Sequence, residues 1–111
     1  MIHHLVMLTF KPGVTDEQVA ELERMLDGLP DKILEIQAYD FGRDVVRSDR
    51  SCDFGLASVF ANLDTLAHYR QHPEHLKVLA HIRRISADIR TVDFESRPHP
   101  HFEPPAPWDG L

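Results

Sequence analysis

The chain has a single cysteine, a single tryptophan and only five glycines in 111 residues. A lone Cys52 excludes an intrachain disulfide and cannot by itself supply a thiolate metal site, so the expected setting is a reducing one, the cytoplasm. Basic residues are also scarce. Twelve Lys and Arg stand against 18 Asp and Glu, for a formal charge of −6, and they form no long run. That excludes the basic surface a phosphate backbone needs, and no nucleic-acid partner is expected. No apolar stretch reaches membrane length, and Met1-Ile2-His3-His4 leads straight into a strand pattern. The chain therefore reads as soluble and intracellular, with no membrane partner. Neither a phosphate-cradling glycine loop, a dinucleotide fingerprint nor a solenoid repeat occurs. The length allows one domain, near the size at which a partner chain supplies the remaining burial.

The hydropathy pattern is orderly up to about residue 95. Residues 2–10 alternate as a strand, with Ile2, His4, Val6, Leu8 and Phe10 on one face and His3, Leu5, Met7 and Thr9 on the other. Pro12-Gly13 ends it. Thr15 to Gln18 has capping-box spacing, and Val19, Leu22, Met25, Leu26 and Leu29 recur at helical spacing until Gly28 and Pro30 stop the helix. Residues 33–42 read as a second strand, the charged segment from Arg43 to Ser51 as a solvated loop, and residues 53–60 as a third strand. Asn62 is placed to cap a helix carrying Leu63, Leu66 and Tyr69. Beyond Pro73 a second helical piece puts Leu76, Leu79 and Ile82 on one stripe, and residues 87–95 form the last strand.

The predicted fold class is therefore α+β, a ferredoxin-like β-α-β-β-α-β protomer with a four-stranded antiparallel sheet and its helices on one face. The first and third strands are apolar on both faces, and no helices remain to cover the second side. A second copy is the economical cover, so two protomers are expected to form a dimeric α/β barrel. From residue 96 to 111 the composition changes: Pro98, Pro100, Pro104, Pro105 and Pro107 point to an extended tail, which Trp108 could anchor to a neighbouring surface.

The chemistry-bearing residues cluster in Tyr69-Arg70-Gln71-His72-Pro73-Glu74-His75. Proline cannot continue the first helix and suits the opening turn of the second, so a phenol and two imidazoles meet at a corner. His75 is the candidate general base, because an imidazole titrates near neutrality, and Tyr69 can bind or protonate a developing oxyanion. His4 would place another imidazole in an apolar cavity. The bland alternative is a structural corner, with His72 capping the second helix. Phe54, Tyr39, Phe41 and Phe60 are candidates to line a small-molecule cavity between the sheets, although apolar strand residues are ordinarily core. Cys52 has no evident activating base. No metal site is expected: His3 and His4 point to opposite faces, Pro73 separates His72 from His75, and His99, His101 and Glu103 sit in the tail.

Together with Met1-Ile2-His3-His4-Leu5-Val6, Phe10-Lys11-Pro12-Gly13, Phe41-Gly42-Arg43-Asp44 and Ser51-Cys52-Asp53-Phe54-Gly55-Leu56, this motif resembles the stress-responsive dimeric α/β-barrel (Dabb) family over residues 2 to about 95. The resemblance implies a ferredoxin-like protomer and a homodimer. Family functions are diverse, from stress response to a plant polyketide cyclase that works without a cofactor. The cyclase's essential tyrosine and histidine fall on Tyr69 and His75, and its first-strand histidine falls on His4. A further histidine of its third strand is replaced here by Phe54. Two functions follow as expectations: binding of a small hydrophobic or aromatic molecule in the barrel, between sheet and helix pair, or cofactor-independent cyclase or isomerase chemistry. In the second, His75 removes a carbon-bound proton while Tyr69 and His4 stabilise the enolate. A purely structural assembly protein is the third reading.

Overall fold

Residues 1–97 are described by a computed structural model. The extended tail, Trp108 and the His99 and His101 pair lie outside the described residues. Strand β1 (Ile2–Phe10) stops at Pro12-Gly13, where Gly13 turns with φ +84°, a backbone region that favours glycine. Helix α1 (Asp16–Asp27) opens on the full capping box, with Thr15 Oγ1 accepting from the Gln18 N–H at 3.2 Å and the Gln18 side chain accepting from the Thr15 N–H at 2.9 Å. Gly28 ends α1, but Pro30 then starts a second short helix, α2 (Leu29–Lys32).

The second strand differs from its prediction. Instead of 33–42 it is β2 (Ala38–Arg43), because Ile33 caps α2 and plugs the core at 1 % exposure while Leu34 is turned outward. Strand β3 (Phe54–Phe60) follows, then α3 (Leu63–Gln71), α4 (Pro73–Ile85) and β4 (Ser86–Glu95). Two stripes are also corrected. Leu63 and Leu76 are exposed and Leu79 is half-buried, whereas Val78, Ile82, Ile85 and His81 form the buried side of α4. The stripe turns by one position because the buried side of α4 faces α1, where His81 Nε2 meets the Gln18 carbonyl at 3.0 Å.

The four strands form one antiparallel sheet in the order β2-β3-β1-β4, which is the ferredoxin-like topology. Pairing runs to the end of the fold: Ser96 N–H donates to the Met1 carbonyl at 2.9 Å. Opposed registers such as Leu8↔Phe54, Val6↔Leu56 and Ile2↔Phe60 put the same face of β1 and β3 under the helices. Leu8, Leu22, Phe54 and Phe60 are all 2 % exposed or less, and each such side chain contributes roughly 1.5–3 kcal/mol through burial. The opposite face carries Leu5, Met7, Ala57, Val59, Val92 and Phe94, brought side by side by Leu5↔Ala57, Leu5↔Val92 and His3↔Phe94, and among the described residues no helix lies above them. Val92 and Phe94 are each 46 % exposed. Among the described residues no helix is long and apolar enough to cross a membrane.

Candidate functional site

The corner at Pro73 is built by local rules. The Asn62 side chain accepts from the Thr65 N–H at 2.9 Å and starts α3, which runs until Pro73 forces His72 to φ −64°, ψ 133°. His72 Nδ1 then accepts from the Glu74 N–H at 3.1 Å, capping α4. His72 is thus committed to holding the corner, as the bland reading of that residue has it. Tyr69 and His75 are left to face each other, their ring centroids 4.4 Å apart.

His75 Nδ1 lies 3.1 Å from the Arg70 carbonyl. A carbonyl only accepts, so Nδ1 carries the proton and Nε2 presents a bare lone pair. Burial holds the imidazole below its ordinary range; the Arg70 carbonyl opposes this, while the charges of His4, Arg70 and His72 add to the lowering. Near neutral pH His75 is therefore an uncharged base. Tyr69 is 1 % exposed, and burial pushes its hydroxyl up to about 12, so it stays a proton donor.

His4 enters from the opposite side, on the sheet, with its centroid 6.1 Å from that of Tyr69. Its Nδ1 pairs with the Asp93 carboxylate, the strand neighbour fixed by the register His4↔Asp93. Asp93 was not singled out in the sequence. It is one of 18 acidic residues, and only the β1–β4 pairing sets it opposite a buried histidine. The carboxylate orients the His4 ring and holds its proton on Nδ1. Tyr39 approaches from β2; burial raises its hydroxyl and the neighbouring Tyr69 phenol raises it further, yet the Tyr39 hydroxyl is buried without a well-formed hydrogen bond.

His4, Tyr69 and His75 open into one cavity of about 210 Å³ between the sheet and the helix pair. Val6, Leu56, Val78 and Ile82 supply its apolar walls. The four aromatic candidates are placed differently from their prediction. Phe54 and Phe60 are core at 2 % and 0 % exposure, Tyr39 and Phe41 pack against that core, and all four rings are on the helix-facing side. Their rings do not face the outer side of the sheet, where the β2–β3 register puts Ala38, Asp40 and Gly42, although Phe41 borders a hollow on that side. A larger hollow of about 390 Å³ on the outer face is an open trough lined by Leu5, Met7, Gly55 and Ala57. It holds none of the imidazoles or phenols, which makes the smaller cavity the candidate site. Among the described residues no group of three His, Cys, Asp or Glu side chains is disposed to hold a metal.

Comparison with known proteins follows the same lines. Residues 2–96 match the family described as the stress-responsive A/B barrel domain. A curated relative, the stress-response A/B barrel domain-containing protein HS1 of Arabidopsis thaliana, is 27 % identical over 78 residues, which cover 68 % of this chain and 72 % of that protein. A dimeric ferredoxin-like protein of unknown function from Thermobifida fusca superposes with a TM-score of 0.78 at 31 % identity, covering 84 % of this chain and 88 % of the other. A hydroxynitrile lyase from Passiflora edulis superposes with a TM-score of 0.79 over 88 % and 94 % of the two chains, a likeness of fold alone at 13 % identity.

Proposed function

This chain belongs to the stress-responsive A/B barrel domain family, and from that premise we propose that it is a homodimeric protein of the cytoplasm that binds a small hydrophobic or aromatic molecule. The supporting observation is the enclosed cavity in which a phenol and two imidazoles converge on apolar walls. At about 210 Å³ the cavity falls below the roughly 300–1,000 Å³ of drug-sized pockets, so its occupant is a single ring or a short chain. The dimer is supported by the uncovered apolar sheet face and by the dimeric state of the Thermobifida fusca relative. Native mass spectrometry of freshly purified protein, against its denatured mass, tests both parts. A dimer with a co-purifying organic molecule that is lost on Leu79→Trp, a cavity-filling change, supports the reading. A stable monomer overturns the shared barrel, and a ligand retained in Leu79→Trp overturns the cavity assignment.

A second reading, cofactor-independent cyclase or isomerase chemistry, is favoured by one observation: the His75 Nδ1 proton is tied to the Arg70 carbonyl, which leaves Nε2 basic beside Tyr69. In this reading Nε2 takes a proton from a carbon next to a carbonyl, and the Tyr69 hydroxyl donates a hydrogen bond to the enolate oxygen, with His4 assisting. Deuterium exchange from solvent into bound carbon acids measures this step directly. The reading requires that His75→Ala abolish exchange while circular dichroism and dimer mass stay unchanged. Collapse of the fold instead would make the motif a structural corner.

A further inference from the structure

The cavity wall has an unusual charge balance for this chain. Although the sequence holds 18 acidic and 12 basic residues, the cavity lining contains no carboxylate and two arginines, Arg70 from α3 and Arg83 from α4. Both are exposed, so they stand at the mouth rather than in the apolar interior. Arg83 falls on the cavity side of α4 because His75, Leu79 and Arg83 are spaced four residues apart. The arginines elsewhere on the fold are often neutralised: Arg43 pairs with Asp16 and Glu23, and Arg47 with Asp44 and Asp53. Among the described residues, Arg70 and Arg83 make no ion pair. Asp93, beside the lining residue His4, is engaged by that imidazole.

We propose that Arg70 and Arg83 form the recognition end of the cavity and that its ligand is a small carboxylic acid, the apolar body inside and the carboxylate at the mouth. The proposal deepens the binding reading above and rests on it. A guanidinium presents a planar fork of N–H donors that matches a carboxylate, and the charge-assisted hydrogen bonds so formed are about twice as strong as neutral ones. The apolar wall sorts the ligand: its ring or chain lies against Val6, Leu56 and Ile82, which offer a carboxylate no partner, and the charged group is left at the mouth. On a chain of net charge −6 a locally cationic mouth also opposes the general repulsion of an anion. The geometry has a second consequence, since the Arg70 carbonyl and the Arg70 charge both act on His75. An anion seated on Arg70 cancels the charge effect and makes His75 easier to protonate, while a neutral ligand of the same shape only dries the site and makes it harder.

The test uses matched pairs: benzoate, phenylacetate and 3-phenylpropanoate against their primary amides, titrated into the intact protein by NMR with the His75 ring resonances as reporter. The acids should bind at least about tenfold more tightly than the amides, the range expected of one charge-assisted contact. Arg70→Gln with Arg83→Gln should bring the ratio to near one without altering amide affinity, and the His75 midpoint should rise with acids and fall with amides. Equal binding of acids and amides, or a preference that survives the double substitution, overturns the carboxylate proposal and leaves the cavity reading standing. Absence of binding by every acid and amide, or binding undiminished in Leu79→Trp, overturns both. Because both arginines are exposed, the variants fold as the parent does.

Discussion

The two faces of this sheet are built from similar residues and end in different states. On the helix side, Leu8, Phe54 and Phe60 are sealed at 2 % exposure or less, whereas on the opposite side of the sheet Val92 and Phe94 of β4 are left 46 % open. Alternation along β1 and β3 assigns residues to faces, but only α1, α3 and α4 decide which face is finished within one chain. The inner face therefore holds the protomer's core and the residues of the candidate site, while the outer face carries an unfinished surface suited to a second copy. His3 shows the contrast with His4, one residue away: His3 stacks flat on Phe94, centroids 4.9 Å apart and planes within 3°, while His4 is enclosed and paired with Asp93.

The largest effect should come from opening the finished face. Phe60→Ala removes a fully buried ring in contact with Tyr69, at a centroid distance of 4.8 Å, and should cost about 3–5 kcal/mol in denaturant unfolding. A loss below about 1 kcal/mol would mean that the inner face is not the protomer's main support. On the other face, Leu5→Arg sets a charge among Ala57 and Val92. Sedimentation should then report half the parent mass, with Tm falling and becoming insensitive to protein concentration. An unchanged dimer mass would show that the two protomers meet elsewhere.

Smaller changes probe the inner site itself. Asp93→Asn keeps the shape but removes the charge that fixes the His4 proton, and it should destabilise the fold by roughly 1–3 kcal/mol. It should also let the His4 ring adopt its other tautomer, visible in its nitrogen chemical shifts. The pH dependence follows from His75, which burial holds below the ordinary 6.5. As pH falls through that value the unfolded chain takes up a proton that the folded chain still refuses, so stability declines until the lower folded midpoint is passed. Comparing unfolding midpoints of the parent and His75→Gln from about pH 7.5 to about pH 5 should therefore show the steeper loss in the parent. Parallel curves would mean that His75 titrates as freely folded as unfolded.

Legibility in the sequence followed the range of the forces involved. The capping box at Thr15, the Asn62 cap, the Pro73 break and the alternation of β1 act within a few residues, and each is found where the sequence puts it. The predicted 33–42 strand shortens at its start because Ile33 and Ile36, strand-like in the sequence, are plugs packed against the core from a turn. His81 and Asp93 were overlooked because their partners, the Gln18 carbonyl and His4, are 63 and 89 residues away in sequence. Of the candidate site, the Tyr69 and His75 corner was local and readable. The space between sheet and helix pair is also where the sequence sets a bound molecule, whereas the face taken by the aromatic candidates is not legible, since both sides of β1 are apolar and only the packing of α3 and α4 distinguishes them.

The smallest expected effect is the one that tests whether the inner face is complete as folded. Tyr39 carries a buried hydroxyl beside the Tyr69 phenol, without a well-formed hydrogen bond. Tyr39→Phe deletes that oxygen and leaves the ring against Phe41, 6.0 Å between centroids, so packing is preserved. Stability should change by less than about 1 kcal/mol, and in the favourable direction, because an unsatisfied donor is lost rather than a hydrogen bond. A destabilisation of about 2 kcal/mol or more would instead reveal a partner for Tyr39 in the folded protein, and the helix-facing side would then be a closed hydrogen-bonded core instead of a chamber with polar groups held open.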